Sequence, residues 1–284
     1  MTPSDTPGTV ADTLTGGPRR RRGRGRGRSG VPIALLLPAL LGLAFLVLPL
    51  IALLVRTPWS HLPDQLTSPA VWQALRLSLL CATAATALSL VIGVPLAWLL
   101  ARVAFPGRGL VRALVTLPLV LPPVVGGVAL LMALGRNGIV GRLLDDWFGI
   151  TLPFTTAGVV VAEAFVAMPF LVISVEGTLR AADPRYEEAA ATLGASRFTA
   201  FRRITLPLIA PGVISGALFA FATSFDEVVV TLFLAGPQQV TLPRQMFTGI
   251  RENITPTIAA VATLLILFTT TLLLTLEWLR GRRR

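Results

Sequence analysis

Apolar residues run in six long blocks along this chain, at about 31–55, 74–101, 110–134, 156–178, 208–234 and 255–279. Short connections rich in Arg, Pro, Gly and Asp separate them. Helical apolar runs of about 20 residues match the hydrocarbon thickness of a bilayer. Helices also satisfy their own backbone hydrogen bonds, which lipid cannot do. The pattern predicts an all-α membrane protein with six transmembrane helices. Residues 1–30 are polar, rich in Gly, Pro, Thr and Arg, and end in RRRRGRGRGR, so they predict a disordered tail. The 31–55 block is longer than the apolar region of a signal peptide and lacks a clear small-residue cleavage site, so it reads as an uncleaved first span.

One connection differs from the others. Residues 183–207, DPRYEEAAATLGASRFTAFRRITLP, carry seven charged side chains between the fourth and fifth blocks. Asp183 is a good N-cap, and Pro184 suits the first helical position. Glu187 and Glu188 fall in the first turn, where the helix dipole favours anions. Gly194 is placed to stop this helix, in a reversal that needs a small residue. Ser196 can cap a second short helix bearing Phe198, Phe201 and Ile204 on one side, with Pro207 marking its end. The segment predicts a stiff helix–Gly–helix lever. An amphipathic helix lying on the membrane surface is the plainer alternative.

Charge orients the chain. Net charge is +11, and all 25 basic residues are Arg. With six crossings, 19 of them fall on one side: seven in the N-terminal tail, three at 102–112, five at 180–203 and four in the basic tail 280–284. Six fall on the other. Cytoplasmic loops are enriched in basic residues, so both termini and the 183–207 connection read as cytoplasmic. Trp59, Trp72, Trp98, Trp147 and Trp278 all lie near predicted span ends, where aromatic belts form. The charge serves orientation, and no nucleic-acid partner is expected.

The same inventory narrows the chemistry. Without Lys there is no phosphate-loop lysine, Schiff base or Ser-Lys dyad. His61 and Cys81 are single, so a metal centre and an internal disulfide are not expected, and Cys81 reads as a packing residue. No catalytic set emerges. Polar groups within spans default to functional candidates: Glu163, and the pair Asp226 and Glu227. For that pair, a gate or pathway role and a satisfied hydrogen-bond cluster both stand. Glu176, near a span end, reads as a snorkelling side chain. Pro122, Pro123, Gly126 and Gly127 break the third block, and freed backbone at membrane depth belongs inside protein or along a wet cavity. Both a pathway kink and a packing kink fit. Gly212 and Gly216, spaced four apart, permit close helix contact.

Glu188-Ala189-Ala190, three residues, Gly194, nine residues, then Ile204-x-Leu206-Pro207 resembles the cytoplasmic EAA loop of ABC importer permeases. The resemblance covers about 74–277, the type-1 permease domain. It implies that Glu188, Ala189, Ala190, Gly194, Ile204, Leu206 and Pro207 form the element gripped by a cytoplasmic ATPase dimer, which holds ATP and magnesium, while this chain binds no cofactor. It also implies an external substrate-binding protein, a second permease copy, membrane lipid, and residence in a bacterial cytoplasmic membrane. Residues 31–215 resemble the molybdate permease family, while 219–279 resemble the polyamine (spermidine/putrescine) permease family, because Ser224-Phe225-Asp226-Glu227 stands where a molybdate-type chain carries a Gly-Glu-Phe-Gly stretch. The first likeness implies a homodimer and the second a heterodimer. Molybdate or a related oxyanion is the expected cargo, with a polyamine as the alternative. An intramembrane enzyme built on Glu163 and Asp226, or a passive channel, are remote rivals that would not need the lever.

Overall fold

The computed structural model describes residues 33–56, 59–61, 67–252 and a few positions between 262 and 271. The predicted tails 1–30 and 280–284, and most of the predicted span 255–279, lie outside the described residues. The chain divides into two compact units, residues 1–50 and 51–284. Helix α1, Ile33–Arg56, matches the first predicted span and contains Pro38 and Pro49.

The described residues of the second unit form helices joined by short connections, with no strand among them. Helix α2 (Pro69–Arg102) begins at Ser68, whose hydroxyl accepts from the Val71 N–H, with Pro69 at the first position. Helices α3 (Arg108–Val120), α4 (Pro123–Leu134) and α5 (Ile139–Phe148) follow. Helix α6 (Thr156–Ala181) is capped by the Thr155 hydroxyl, which accepts from Gly158 N. Then come α7 (Arg185–Thr192), α8 (Arg197–Ala200), a π turn at Phe201–Thr205, α9 (Leu206–Phe225), α10 (Val229–Leu234) and α11 (Leu242–Glu252). Five segments of the described chain are long and apolar enough to cross a membrane: 36–55, 69–102, 123–148, 156–181 and 197–225.

Helices α2, α6 and α9 form the core. On α2 the buried positions Ala74, Ser78, Cys81, Ala82, Ala85, Ser89, Gly93 and Ala97 recur every three or four residues, giving a seam of small side chains. Small seams let helix backbones approach, and van der Waals packing replaces the hydrophobic drive that lipid cannot supply. A Cβ on Gly93 would sit 3.0 Å from the Leu171 side chain of α6. The Gly212–Gly216 pair of α9 faces α6 in the same way: a Cβ at Gly216 would lie 3.1 Å from the Leu171 Cα. Cys81 is fully buried, in keeping with a packing role.

Four expectations change. The third predicted span, 110–134, is two helices, because the chain is extended at Leu121 and Pro122. Proline has no N–H to give and disfavours α geometry in the residue before it, so Pro122 and Pro123 end one helix and start the next. The fifth predicted span, 208–234, stops at Phe225 and resumes as α10 at Val229. Pro207 does not end the second loop helix. The chain runs through the π turn straight into α9, where the Leu206 N–H bonds the Phe201 carbonyl and Pro207 occupies the first turn, in which no N–H is required. Finally, α5 occupies what reads as a short loop. Its exposed Ile139, Trp147 and Phe148, and its Arg142–Asp146 pair at 3.5 Å, give it the two faces of an interfacial helix.

Candidate coupling site and polar groups along the helices

The lever folds largely as its residues dictate. The Asp183 carboxylate accepts from the Arg185 N–H at 3.0 Å, so it caps α7 as expected, with Pro184 already in helical geometry. At the far end the Gly194 N–H donates to the Ala191 carbonyl and the Ala195 N–H to the Ala190 carbonyl, both at 3.0 Å. These paired bonds, with Gly194 at φ +81°, form a Schellman C-cap. A Cβ at Gly194 would meet nothing within 4 Å. The glycine is therefore needed for its left-handed backbone, and the expected need for small size is corrected. Gly194→Ala should cost about 1 kcal/mol and Gly194→Asn a few tenths, since asparagine tolerates that region; helix protection measured by amide hydrogen exchange across 185–193 would rank the three. Ser196 caps α8 through a bond from the Thr199 N–H at 3.2 Å.

Burial sorts the loop's side chains into two faces. Ala190 and Ala200 are buried, and Phe201 packs against the core. Glu188, Ala189 and Ala191 are exposed. Leu193 is 88% exposed, Phe198 73% and Tyr186 59%, so the outer face carries large apolar groups among Arg185, Arg197, Arg202 and Arg203. Ile204 is half-buried, while Leu206 and Pro207 are exposed on the first turn of α9. Between the loop and the end of α2 lies a cavity of about 360 Å³ lined by Trp98, Arg102, Glu187, Glu188 and Arg197, among others.

The polar groups inside the helices fall into three settings. Glu176 is buried and does not snorkel: its Oε1 accepts from Arg112 at 2.6 Å and from Arg180 at 2.7 Å, which ties α3 to α6. Glu163 on α6 is 1% exposed, and its Oε2 has no hydrogen-bond partner among the described residues. Glu227 stands at the start of α10, a helix that packs against α6. The predicted pair at 226 and 227 separates. Asp226 is exposed at the end of α9, whereas Glu227 Oε1 accepts from the Val230 N–H at 2.8 Å and caps α10.

The break at 121–123 divides as well. Pro122 and Pro123 are exposed at the start of α4, but Gly126 and Gly127 are buried. A Cβ at Gly127 would strike the Phe233 ring of α10, and one at Gly126 would lie 3.5 Å from the Phe165 ring of α6. The two glycines therefore seat aromatic rings, and the packing alternative describes them.

The chain's residues 91–283 match the model of the family described as binding-protein-dependent transport system inner membrane component. This chain belongs to that family. Its permease identity agrees with the helical bundle and with the lever between its later crossings. Similar relatives include the molybdenum transport system permease protein ModB of Mycobacterium tuberculosis (strain ATCC 25618 / H37Rv), 47% identical over 238 residues, which covers 81% of this chain and 87% of the relative. The protein of the same name from Escherichia coli (strain K12) is 44% identical over 189 residues, 66% of this chain and 82% of the relative. The sulfate transport system permease protein CysT of Escherichia coli (strain K12) is 35% identical over 244 residues, 84% and 87% of the two chains. Among solved structures, a bacterial ABC transporter involved in alginate import superposes with TM-score 0.67 at 21% identity, over 88% of this chain and 93% of that one. The permease thus shares its fold with that transporter. The third crossing, the lever and the fifth helix all fall within the matched range. Two features escaped the sequence: the Arg112–Glu176–Arg180 cluster and the Arg102–Glu187 pair. The Glu176–Arg180 pair has the local i,i+4 spacing, but Arg112–Glu176 and Arg102–Glu187 join residues far apart in the chain, which no local spacing announces.

Proposed function

We propose that this permease imports molybdate, working as a homodimer by alternating access and driven by a separate cytoplasmic ATPase. The identity of 47% to a molybdenum transport permease across 81% of the chain carries the reading. A match of that length has to run past Glu227, so it crosses the point at which the oxyanion and polyamine likenesses divide. The polar chemistry agrees. Glu227 spends its carboxylate on capping α10, which leaves it poorly placed to hold a polyamine ammonium. Sulfate, another tetrahedral oxyanion, is the second reading, supported by the 35% identity to a sulfate permease.

In this account the 183–207 lever is the element the ATPase grips. ATP and magnesium reside on that partner, and an external binding protein delivers the cargo. Both termini and the lever face the cytoplasm, supported by the 19-to-6 distribution of Arg. Glu188, Ala189, Ala190 and Gly194, with Ile204, Leu206 and Pro207, make up the gripped element. Glu163 and Asp226 are the pathway candidates that remain without a structural task, together with Pro122 and Pro123 at the helix break.

The test is reconstitution of the permease with its ATPase and binding protein in proteoliposomes. Labelled molybdate should accumulate only with ATP, a hundredfold excess of sulfate should compete weakly, and spermidine should not compete. Accumulation of spermidine, or of molybdate without ATP, would overturn the reading.

A further inference from the structure

Ala190, Ala200 and Thr205 of the lever are buried and Phe201 packs against the core, so most of its attachment to the helical body is apolar. Its polar attachments converge on one ion pair. Arg102 stands in the last turn of α2, and its Nε lies 3.3 Å from Glu187 Oε1. Another nitrogen of the same guanidinium donates to the Ala182 carbonyl at 3.2 Å, where the chain enters the lever. Glu187 Oε1 also accepts from the Thr205 hydroxyl at 3.0 Å, where the chain leaves it through the π turn. Thr205 is fully buried, and Arg102 and Glu187 are largely so, with side-chain exposures of 14% and 25%. Entry, helix and exit of the lever are therefore fastened to the end of α2 at one point.

Helix electrostatics favours this joint from both sides. Arg102 sits at the negative end of α2, and Glu187 lies in the first turn of α7, at its positive end. Partial burial limits screening of the pair by salt. Glu188, one residue on, is exposed and makes no ion pair among the described residues. The two adjacent glutamates point to different work.

We propose that Glu187, held by Arg102 and Thr205, is the positioning residue that transmits lever movement into α2, a task in which Glu188 has no part. This rests on the coupling reading above. The apolar contacts of Ala190, Ala200 and Phe201 are non-directional and resist a tilt of the lever weakly. A charged joint at the end of a 34-residue helix makes α2 follow. Hydrolysis should then become separable from transport when the joint is cut, because the outer face that meets the ATPase is left intact.

The experiment measures molybdate accumulated and ATP hydrolysed together, in proteoliposomes holding the complete complex with binding protein. Glu187→Gln and Arg102→Gln should each lower the molybdate moved per ATP by about tenfold, within the usual range of coupling between sites. The amount of ATPase bound should stay within about twofold, as expected for changes away from the docking face. The double variant, Arg102→Gln with Glu187→Gln, should lower the ratio no further than either single variant, as two groups of one joint require and two independent losses do not. Thr205→Val removes one of the three fastenings and should give an intermediate ratio. A wild-type ratio in Glu187→Gln overturns the proposal, as does a double variant whose loss is the product of the two single losses. Should Glu187→Gln fail to assemble, Thr205→Val decides: an intermediate ratio supports the joint, and an unchanged one overturns it. Failure of the coupling reading itself looks different, because the unaltered permease would then not bind the ATPase at all.

Discussion

Gly212→Leu is expected to remove almost all correctly assembled permease from the membrane, the largest effect of any single substitution considered. A Cβ at this position would overlap the Thr178 side chain and approach the Ser174 carbonyl oxygen at 3.2 Å. Neither neighbour can yield easily. Thr178 is β-branched and its hydroxyl bonds back to the Ser174 carbonyl at 2.9 Å, while the Ser174 hydroxyl donates to the Gly212 carbonyl at 2.9 Å. Leucine therefore has to push α9 off α6 and break a bond across the seam. Overpacking of a tight site costs about 1–3 kcal/mol and more where backbone must move, a large part of a domain's whole stability. Gly212→Ala should show the lower end of that range, and Thr178→Ala should relieve part of it, since it removes the clashing hydroxyl but keeps the Cβ. Gly177→Ala, on α6, meets nothing within 4 Å and should be neutral. Monodisperse protein recovered in mild detergent, compared across this set, checks the argument. A Gly212→Leu variant recovered like the unaltered protein would show that the α6–α9 contact is not as close as drawn.

The parts of the fold that could be read from sequence are those governed by neighbours along the chain. The crossings at 74–101 and 156–178 needed only the length of their apolar runs, and the structure extends each by a few residues. The two ends of α7 follow from Asp183 and Gly194, whose roles depend on the backbone within four residues of each. The third crossing was legible as disturbed but not as divided, because a Pro-Pro pair fits a kink as well as an end. Leu121 in extended geometry settles it. The same limit hid the stop at Phe225. FATSFDEVVV reads as a polar patch in a continuous span, and only the Glu227 carboxylate turned back to the Val230 N–H reveals a new helix start. Gly126 and Gly127 show the converse. Their place beside two prolines suggested an open backbone, whereas Phe233, more than a hundred residues away, fills the space. Charge pairs over long separations, Arg112 with Glu176 and Arg102 with Glu187, are set by the way α3 and α7 settle on their neighbours, which no local pattern encodes.

Leu193→Asp is expected to abolish ATPase docking while leaving the permease itself intact, and it is the most direct probe of the lever. Leu193 follows the last turn of α7 and is 88% exposed, so its side chain contributes little to the fold of this chain. Phe198 and Tyr186 stand on the same loop, 73% and 59% exposed. Large apolar groups displayed this openly, with Arg185, Arg197, Arg202 and Arg203 around them, have the make-up of an interface with an apolar centre and a charged rim. Truncating a central apolar anchor typically costs about 2 kcal/mol or more, and placing a carboxylate in its pocket adds desolvation, so affinity should fall by at least about a hundredfold. Arg197→Ala, at the rim, should act chiefly on the association rate and its salt dependence. Detergent-purified permease titrated with the ATPase would separate the two, with binding protein and membrane abundance as controls. If Leu193→Asp bound the ATPase as tightly as the unaltered chain, the partner would have to grip some other surface, and the exposed apolar residues of 183–207 would be better explained by burial in the membrane interface. Salt and lipid then discriminate. An interfacial helix responds to anionic lipid in vesicles that contain no ATPase, whereas a docking lever responds only when its partner is present.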